Sequence, residues 1–468
     1  MSFRRFHVGG HAALSRQRRP SRGSKALKII VETTVFLNGG DAAIQVATKR
    51  ILKAAFGDDI EIVFADMDAQ VAKRYYPGNT FVCFPSAQLH KSKYIRLLNR
   101  LTKGRLELNS VYSILIAMIF IERHLSWLKY LGYGGQVARA LREYIAADLI
   151  ISTGGTYLSK KHRGSVSHRL PEYERDVYLG KPPIFFTQSM GPFGDDRIFH
   201  RLAVILRKSP LILVRDRKSM AFAKELVGHA DNIEEVADCV FILTDQDEIE
   251  RRRAASQVAK PGRRPRIAVS VRPWADFGER DSEVGRAKYH QSVARATAWF
   301  VEEVGAEVTF ISTCQGIPEY RFNDSDAARD VLKYLPEHVR NSVVIDLQFR
   351  DTETLLRKIG EFDGAICTRM HMCILSLCRG LPVLPICYER KTADLFRSLD
   401  LEDYVTFIDK IEPDGFRNLA ERWWQNQESI AERSLRGTLA LRDSALSTVG
   451  ILKNRFAPVE LQMEAVSP

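Results

Sequence analysis

The segment FDGAICTRMHMCILSLCRGLPVLPICYERK, residues 362–391, carries the pattern around which the chain can be ordered. Residues 364–367 form a short apolar run that reads as the end of a buried strand. Residues 370–378 have the look of a short helix closing at Arg379-Gly380, and residues 381–387 read as a second strand. Strand, helix and strand within ~30 residues make a βαβ unit, hence a parallel sheet whose ligand-binding edge lies at the strand C-termini. Arg369 and His371 fall at that edge, beside the N-terminus of the helix. A guanidinium and an imidazole next to free backbone N–H groups can hold an anion and move a proton. Arg-x-His alone is a weak motif, and a structural pair would look the same, so the remaining chain must decide.

Working outward, the second half repeats the α/β alternation. Strands are expected at 267–271, 308–312 and 343–345, and helices at 290–304, 326–334 and 352–361; Arg272-Pro273-Trp274 follows the first of these strands. The first half opens on a strand at 27–32. The turn Asn38-Gly39-Gly40-Asp41 comes next, with Asp41 placed to cap a helix at 42–56. This opening is Rossmann-like but is not GxGxxG, so a dinucleotide is not expected. Further strands are read at 60–65, 81–84, 148–152, 184–186 and 211–214, with a helix at 196–208. The fourth first-half strand ends in Thr153-Gly154-Gly155-Thr156, where two glycines permit either close backbone approach of a ligand or a tight turn. The strand at 211–214 runs into Arg215-Asp216, which puts Arg215 at the C-terminal edge of a parallel sheet as well. Pairing of Arg215 with Asp216 or a helix end is the competing reading.

At 468 residues, two domains are expected rather than one. The division read here is a basic, disordered leader at 1–26 and an N-terminal Rossmann-like domain at 27–245 with a helical excursion at 88–143. A polar linker at 246–266, a C-terminal Rossmann-like domain at 267–410 and a helical tail at 411–468 complete it. The tail carries Trp423-Trp424 and could pack back across both domains.

The formal net charge is +12, concentrated in the leader (Arg4, Arg5, Arg16, Arg18, Arg19, Arg22) and around Arg251, Arg252 and Arg253. No nucleic-acid-binding signature accompanies these runs, so no nucleic-acid partner is expected, while anionic substrates or peripheral membrane association stay open. No apolar core follows the N-terminal charges, so no secretory signal is expected. The longest apolar stretch, 111–121, falls short of the ~20 residues that span a bilayer; it reads as core, with lipid contact as the alternative. The seven cysteines are scattered through apolar runs without zinc-site spacing, which predicts reduced core thiols and no metal. These features predict a cytoplasmic protein, and leave the inner membrane face open.

Taken in order, several pieces form one set: Asn38-x-Gly40-Asp41-x-Ala43; Asp148 through Gly154-Gly155 to Leu158; Gln188-Ser-x-Gly191-Pro192; Val214-Arg215-Asp216 with Ser219; Asp238; Arg369-x-His371; and Gly380-x-Pro382 through Tyr388-x-x-Lys391. Together they resemble the polysaccharide pyruvyl transferase family, over about residues 28–391. The resemblance implies a fold like that of GT-B glycosyltransferases, two Rossmann-like domains facing across a cleft. It implies transfer of a pyruvyl group from phosphoenolpyruvate to a sugar, usually as a ketal, in making exopolysaccharide or cell-surface glycan, often on lipid-linked acceptors. By position it makes Arg369 and His371 the donor-binding and catalytic pair and Arg215 a second anion-binding arginine. Gly154, Gly155, Gln188, Asn38, Asp41 and Lys391 are the matching substrate-binding positions. No cofactor is implied beyond phosphoenolpyruvate as co-substrate.

The chemistry suits these residue types. Phosphoenolpyruvate carries a carboxylate and a phosphate on neighbouring atoms, for which planar guanidinium donors from two facing domains are apt. Ketal formation needs a proton delivered to the methylene carbon, and His371 is the candidate general acid/base; holding phosphate is its alternative role. One rival is a nucleotide-sugar glycosyltransferase of the same architecture, against which the second half shows no acidic pair suited to a ribose. Another is a glycan-binding or membrane-associated scaffold without activity.

Overall fold

A computed structural model describes residues 26–91, 100, 108–122, 135–228, 231–257 and 263–456. Most of the basic leader, much of the 88–143 excursion, part of the 246–266 segment and the last residues of the tail lie outside the described residues.

The first half forms a parallel sheet of β1 (Leu27–Thr34), β2 (Ile60–Asp66), β3 (Thr80–Cys83), β4 (Leu149–Ser152), β5 (Ile184–Gln188), β6 (Ile212–Val214) and β7 (Ile233–Glu235). Its order is β3-β2-β1-β4-β5-β6-β7. The second half builds another from β8 (Arg266–Ser270), β9 (Glu307–Phe310), β10 (Val344–Ile345), β11 (Gly364–Cys367), β12 (Val383–Cys387) and β13 (Thr406–Phe407), in the order β10-β9-β8-β11-β12-β13. Central strands are covered by helices on both faces and so read as unbroken apolar runs; every residue of β5, β11 and β12 is buried. Register fixes the centre of each sheet. Ile29 of β1 stands opposite Ile62 of β2 and Leu149 of β4, and Ala268 of β8 opposite Thr309 of β9 and Ala365 of β11.

In both sheets the strand order reverses beside the first strand, between β1 and β4 and between β8 and β11. At such a reversal the neighbouring connections leave to opposite faces and open a crevice beyond the strand C-termini. The turn after β1 enters the helix Gly39–Phe56. Its cap is Asn38, whose Oδ1 accepts from the Gly40 N–H at 3.0 Å. Asp41, expected as the cap, stands in the first turn instead, because Gly39 and Gly40 already belong to the helix. Within 246–266, residues Gln246–Gln257 form a helix.

The two halves touch where their crevices meet. The Gly39 N–H donates to the Thr313 carbonyl at 3.0 Å, and Glu319 accepts from Arg74 at 2.7 Å and from the Tyr75 hydroxyl at 2.9 Å. A common apolar core runs from Ile29 and Ile51 through Val240 to Ile366 and Trp423. The tail helices Pro413–Gln425 and Gln427–Phe456 bind the halves from behind. Trp423 is buried over the second sheet, where its ring meets the position a Cβ on Gly364 would take. Further along, Ser444 accepts from the Ala237 N–H at 3.0 Å, and Arg455 pairs with Glu234 at 2.7 Å in the first half. The helix Leu108–Glu122 buries Val111, Tyr112, Ile116 and Ile119 against Leu89 and Leu141. Its Ile114 is 62% exposed. Among the described residues no helix is long and apolar enough to cross a membrane. All seven cysteines are buried and unbridged.

Candidate active site

The facing crevices enclose a cleft of about 900 Å³. Asn38, Asp41, Gly155 and Arg215 line it from the first half, and Arg369, His371 and Lys391 from the second. Two expected residues do not line it. Gln188 is buried and donates from Nε2 to the Thr153 and Ser152 carbonyls, tying β5 to the end of β4. Gly154 sits over β5, where a Cβ would come within 2.9 Å of the Thr187 carbonyl oxygen. Both shape the floor beneath Gly155.

His371 occupies the first turn of the helix Met370–Cys378, directly after Arg369 at the cap. Its ring packs on the turn after β1, since a Cβ on Gly40 would lie 2.9 Å from its Nδ1. On the other side Nε2, buried and otherwise without a hydrogen-bond partner, lies 3.7 Å from Asp238 Oδ2. Burial alone would raise the Asp238 carboxyl. The Arg215 guanidinium and His371 overcome that and hold it well below the usual carboxylate range. Arg215 pairs with Asp238 through one Nη, and its Nε donates to Ser189 Oγ at 2.7 Å. Asp41 is different. Burial pushes its carboxyl up, against the pull of His371 and of the Tyr157 hydroxyl that donates to it at 3.1 Å. One imidazole from the second half therefore stands among two carboxyls of the first, one firmly ionised and one shifted toward its protonated form.

Arg369 is clamped bidentately by Asp324, with Nε–Oδ2 at 2.9 Å and Nη2–Oδ1 at 2.6 Å. Lys391 Nζ lies 3.3 Å from Thr156 Oγ1 across the cleft and 3.0 Å from Glu389. Burial would raise Glu389, but Lys391 and its hydrogen bond keep it low. The sequence reading did not single out Arg272, which lies between Tyr388 and Trp274 with its guanidinium carbon 4.3 and 4.7 Å from the ring centroids. The signal was available: Arg272 follows the end of β8 as Arg215 follows β6 and Arg369 follows β11, one residue beyond the strand or two. Asp238 and Asp324 as partners were not readable from spacing. Among the described residues, no three His, Cys, Asp or Glu side chains come together as a metal site would require.

The architecture is GT-B-like, two doubly wound parallel sheets opening a shared cleft at their switch points. It is shared with Anabaena Alr3699/HepE, solved in complex with UDP-glucose (TM-score 0.51, 10% identity, 94% of this chain and 100% of that one). It is shared also with UDP-GlcNAc 2-epimerase from Methanocaldococcus jannaschii (TM-score 0.50, 10% identity, 92% and 100%). At these identities the likeness concerns the fold. Within that class, the chain belongs to the polysaccharide pyruvyl transferase family, whose profile matches residues 38–390. It is similar to the amylovoran biosynthesis protein AmsJ of Erwinia amylovora, 23% identical over 376 residues, covering 76% of this chain and 83% of that protein.

Proposed function

We propose that the chain transfers the pyruvyl group of phosphoenolpyruvate to a sugar of an exopolysaccharide or its precursor, closing a ketal across two hydroxyls. Membership of the family and similarity to an exopolysaccharide biosynthesis protein support the class of reaction. The observation that carries the mechanism is His371 facing the ionised Asp238 and packed on the turn that bears Asp41, in a cleft contributed by both halves.

In this reading His371, facing Asp238 at 3.7 Å, delivers a proton to the methylene carbon. C2 gains oxocarbenium character and a sugar hydroxyl adds to it, forming one C–O bond and returning its proton to the imidazole or to Asp41. Breaking the C2–O bond to phosphate restores the cation, and a second hydroxyl closes the ring. Of the two hydroxyl protons one is made good in the new methyl group and the other leaves with inorganic phosphate, so the reaction needs no redox partner. Such positioned proton transfer contributes about 10²–10⁴ in rate. The acceptor, like the donor, would reach these groups through the open side of the cleft.

Thermal shift gives the first test. Phosphoenolpyruvate at a hundredfold excess over its Kd stabilises by about 2.7 kcal/mol, a readily measured rise in Tm, and UDP- or GDP-sugars should produce none. Stabilisation by nucleotide-sugars with no response to phosphoenolpyruvate would exclude the proposal in favour of the glycosyltransferase reading.

A further inference from the structure

Three arginines reach the cleft from the ends of strands, and they differ in one respect. Arg215 is neutralised by Asp238 and Arg369 by Asp324. The Arg272 guanidinium makes no ion pair and no hydrogen bond among the described residues, and its Nε is buried without a partner. What holds it is aromatic. It lies against the faces of Trp274 and Tyr388, whose ring centroids are 4.8 Å apart. Stacking of this kind orients a guanidinium plane and leaves its Nη edge available. Glu389, the acid of the lining next to Tyr388 in the chain, is already engaged by Lys391 at 3.0 Å and Lys161 at 3.5 Å. A half-buried cation without a counter-ion costs the ligand-free protein free energy, which is recovered when an anion arrives.

From this we infer that Arg272 is a further guanidinium that grips an oxyanion group of the donor. The inference rests on the donor proposed above. The paired arginines also act on the site itself: Arg215 holds Asp238 beside His371, and Arg369 is tied to Asp324 at the start of the helix that carries His371. Tyr388 and Trp274 are positioning residues that act through Arg272. The group gripped is a carboxylate or a phosphate, since a guanidinium edge matches both bidentately.

Calorimetric titration of wild type, Arg272→Met and Arg272→Lys with phosphoenolpyruvate tests this. Pyruvate and inorganic phosphate are titrated separately, and Tm is recorded with and without each ligand. Arg272→Met should weaken phosphoenolpyruvate binding roughly 10- to 100-fold, with Arg272→Lys between it and wild type. The ligand-free Tm should stay level or rise, because an uncompensated cation has been removed; a purely structural arginine would lower it. Loss of affinity for phosphate but not pyruvate assigns the phosphate to Arg272, and the reverse assigns the carboxylate. If wild type and Arg272→Met bind phosphoenolpyruvate equally, the inference is overturned while the proposed donor stands. If wild type fails to bind it, both fall together.

Discussion

His371 is held by groups that belong to the other half of the molecule, and its behaviour should be read through them. Asp238 lies 3.7 Å away, and its ionisation is secured by Arg215. Asp238→Asn should lower kcat on the order of 10²-fold with little change in phosphoenolpyruvate affinity. Unchanged kcat in that variant would leave Asp238 a structural part only. His371→Asn should lose about 10²–10⁴ in turnover while still binding the donor, measured by phosphate release beside calorimetry. How far this was legible depends on the kind of contact. Arg215, Arg369 and His371 were readable because strand ends announce the functional edge. Their partners were not: Asp238 showed only as a motif position, and Asp324, the first residue of the helix Asp324–Leu332, pairs with Arg369 only through the fold of the second sheet.

The elements themselves were largely readable, and the exceptions share a cause. Strands β11 and β1 announce themselves as apolar runs, whereas β7 reads IEE and β13 is the two residues Thr406–Phe407. Neither carries an apolar run of its own, whereas the equally short edge strand β10 lies in one and was read at 343–345. Nor does periodicity reveal a wholly buried charge cluster, and one lies under β1. Arg175 in the helix Arg163–Tyr178 stacks 3.5 Å from the Tyr144 ring centroid and meets Asp176 at 2.6 Å, Glu32 at 3.2 Å and Glu172. Glu172 in turn accepts from Tyr112 at 2.7 Å, fastening the helix Leu108–Glu122 to the domain. Three carboxyls share one guanidinium, and burial pushes Glu32 well up and Asp176 up to about 7. A raised carboxyl stabilises the folded state fully below its unfolded pKa of about 4 and loses that contribution as pH rises through its folded value. Asp176→Asn should therefore reduce the gain in stability seen as pH falls from about 7 to 4, by up to ~1.4 kcal/mol per pH unit for one proton. His290, lowered to about 4 by burial, opposes this trend in both proteins. The difference between their denaturation curves across pH isolates the Asp176 proton, and parallel curves would refute its linkage.

At the scale of the whole molecule the site exists only while two halves meet, and between the turns that carry Gly39 and Thr313 the approach is backbone to backbone. Two similar α/β halves facing one another were legible in the repeated alternation, and so was a tail able to reach both. The distance between the halves was not, because no residue pattern encodes it except a glycine. Gly39 lies in helical backbone that any residue adopts, yet a Cβ there would sit 2.3 Å from the Thr313 carbonyl oxygen. That oxygen already accepts the Gly39 N–H at 3.0 Å, so neither loop can yield without moving its own domain. Gly39→Ala must part the crevices by roughly 1 Å to restore ordinary contact, and a shift of that size can cost about 10²-fold in rate. The separation falls on His371, whose partners Asp238 and Asp41 belong to the half that moves away. We expect kcat to fall by about that factor, with unchanged secondary structure and a more open particle in small-angle scattering. Gly78→Ala, where nothing lies within 4 Å of the added Cβ, is the control and should behave as wild type. Were Gly39→Ala to keep wild-type turnover, the close approach of the two loops would be incidental, and His371 would not depend on its partners across the cleft.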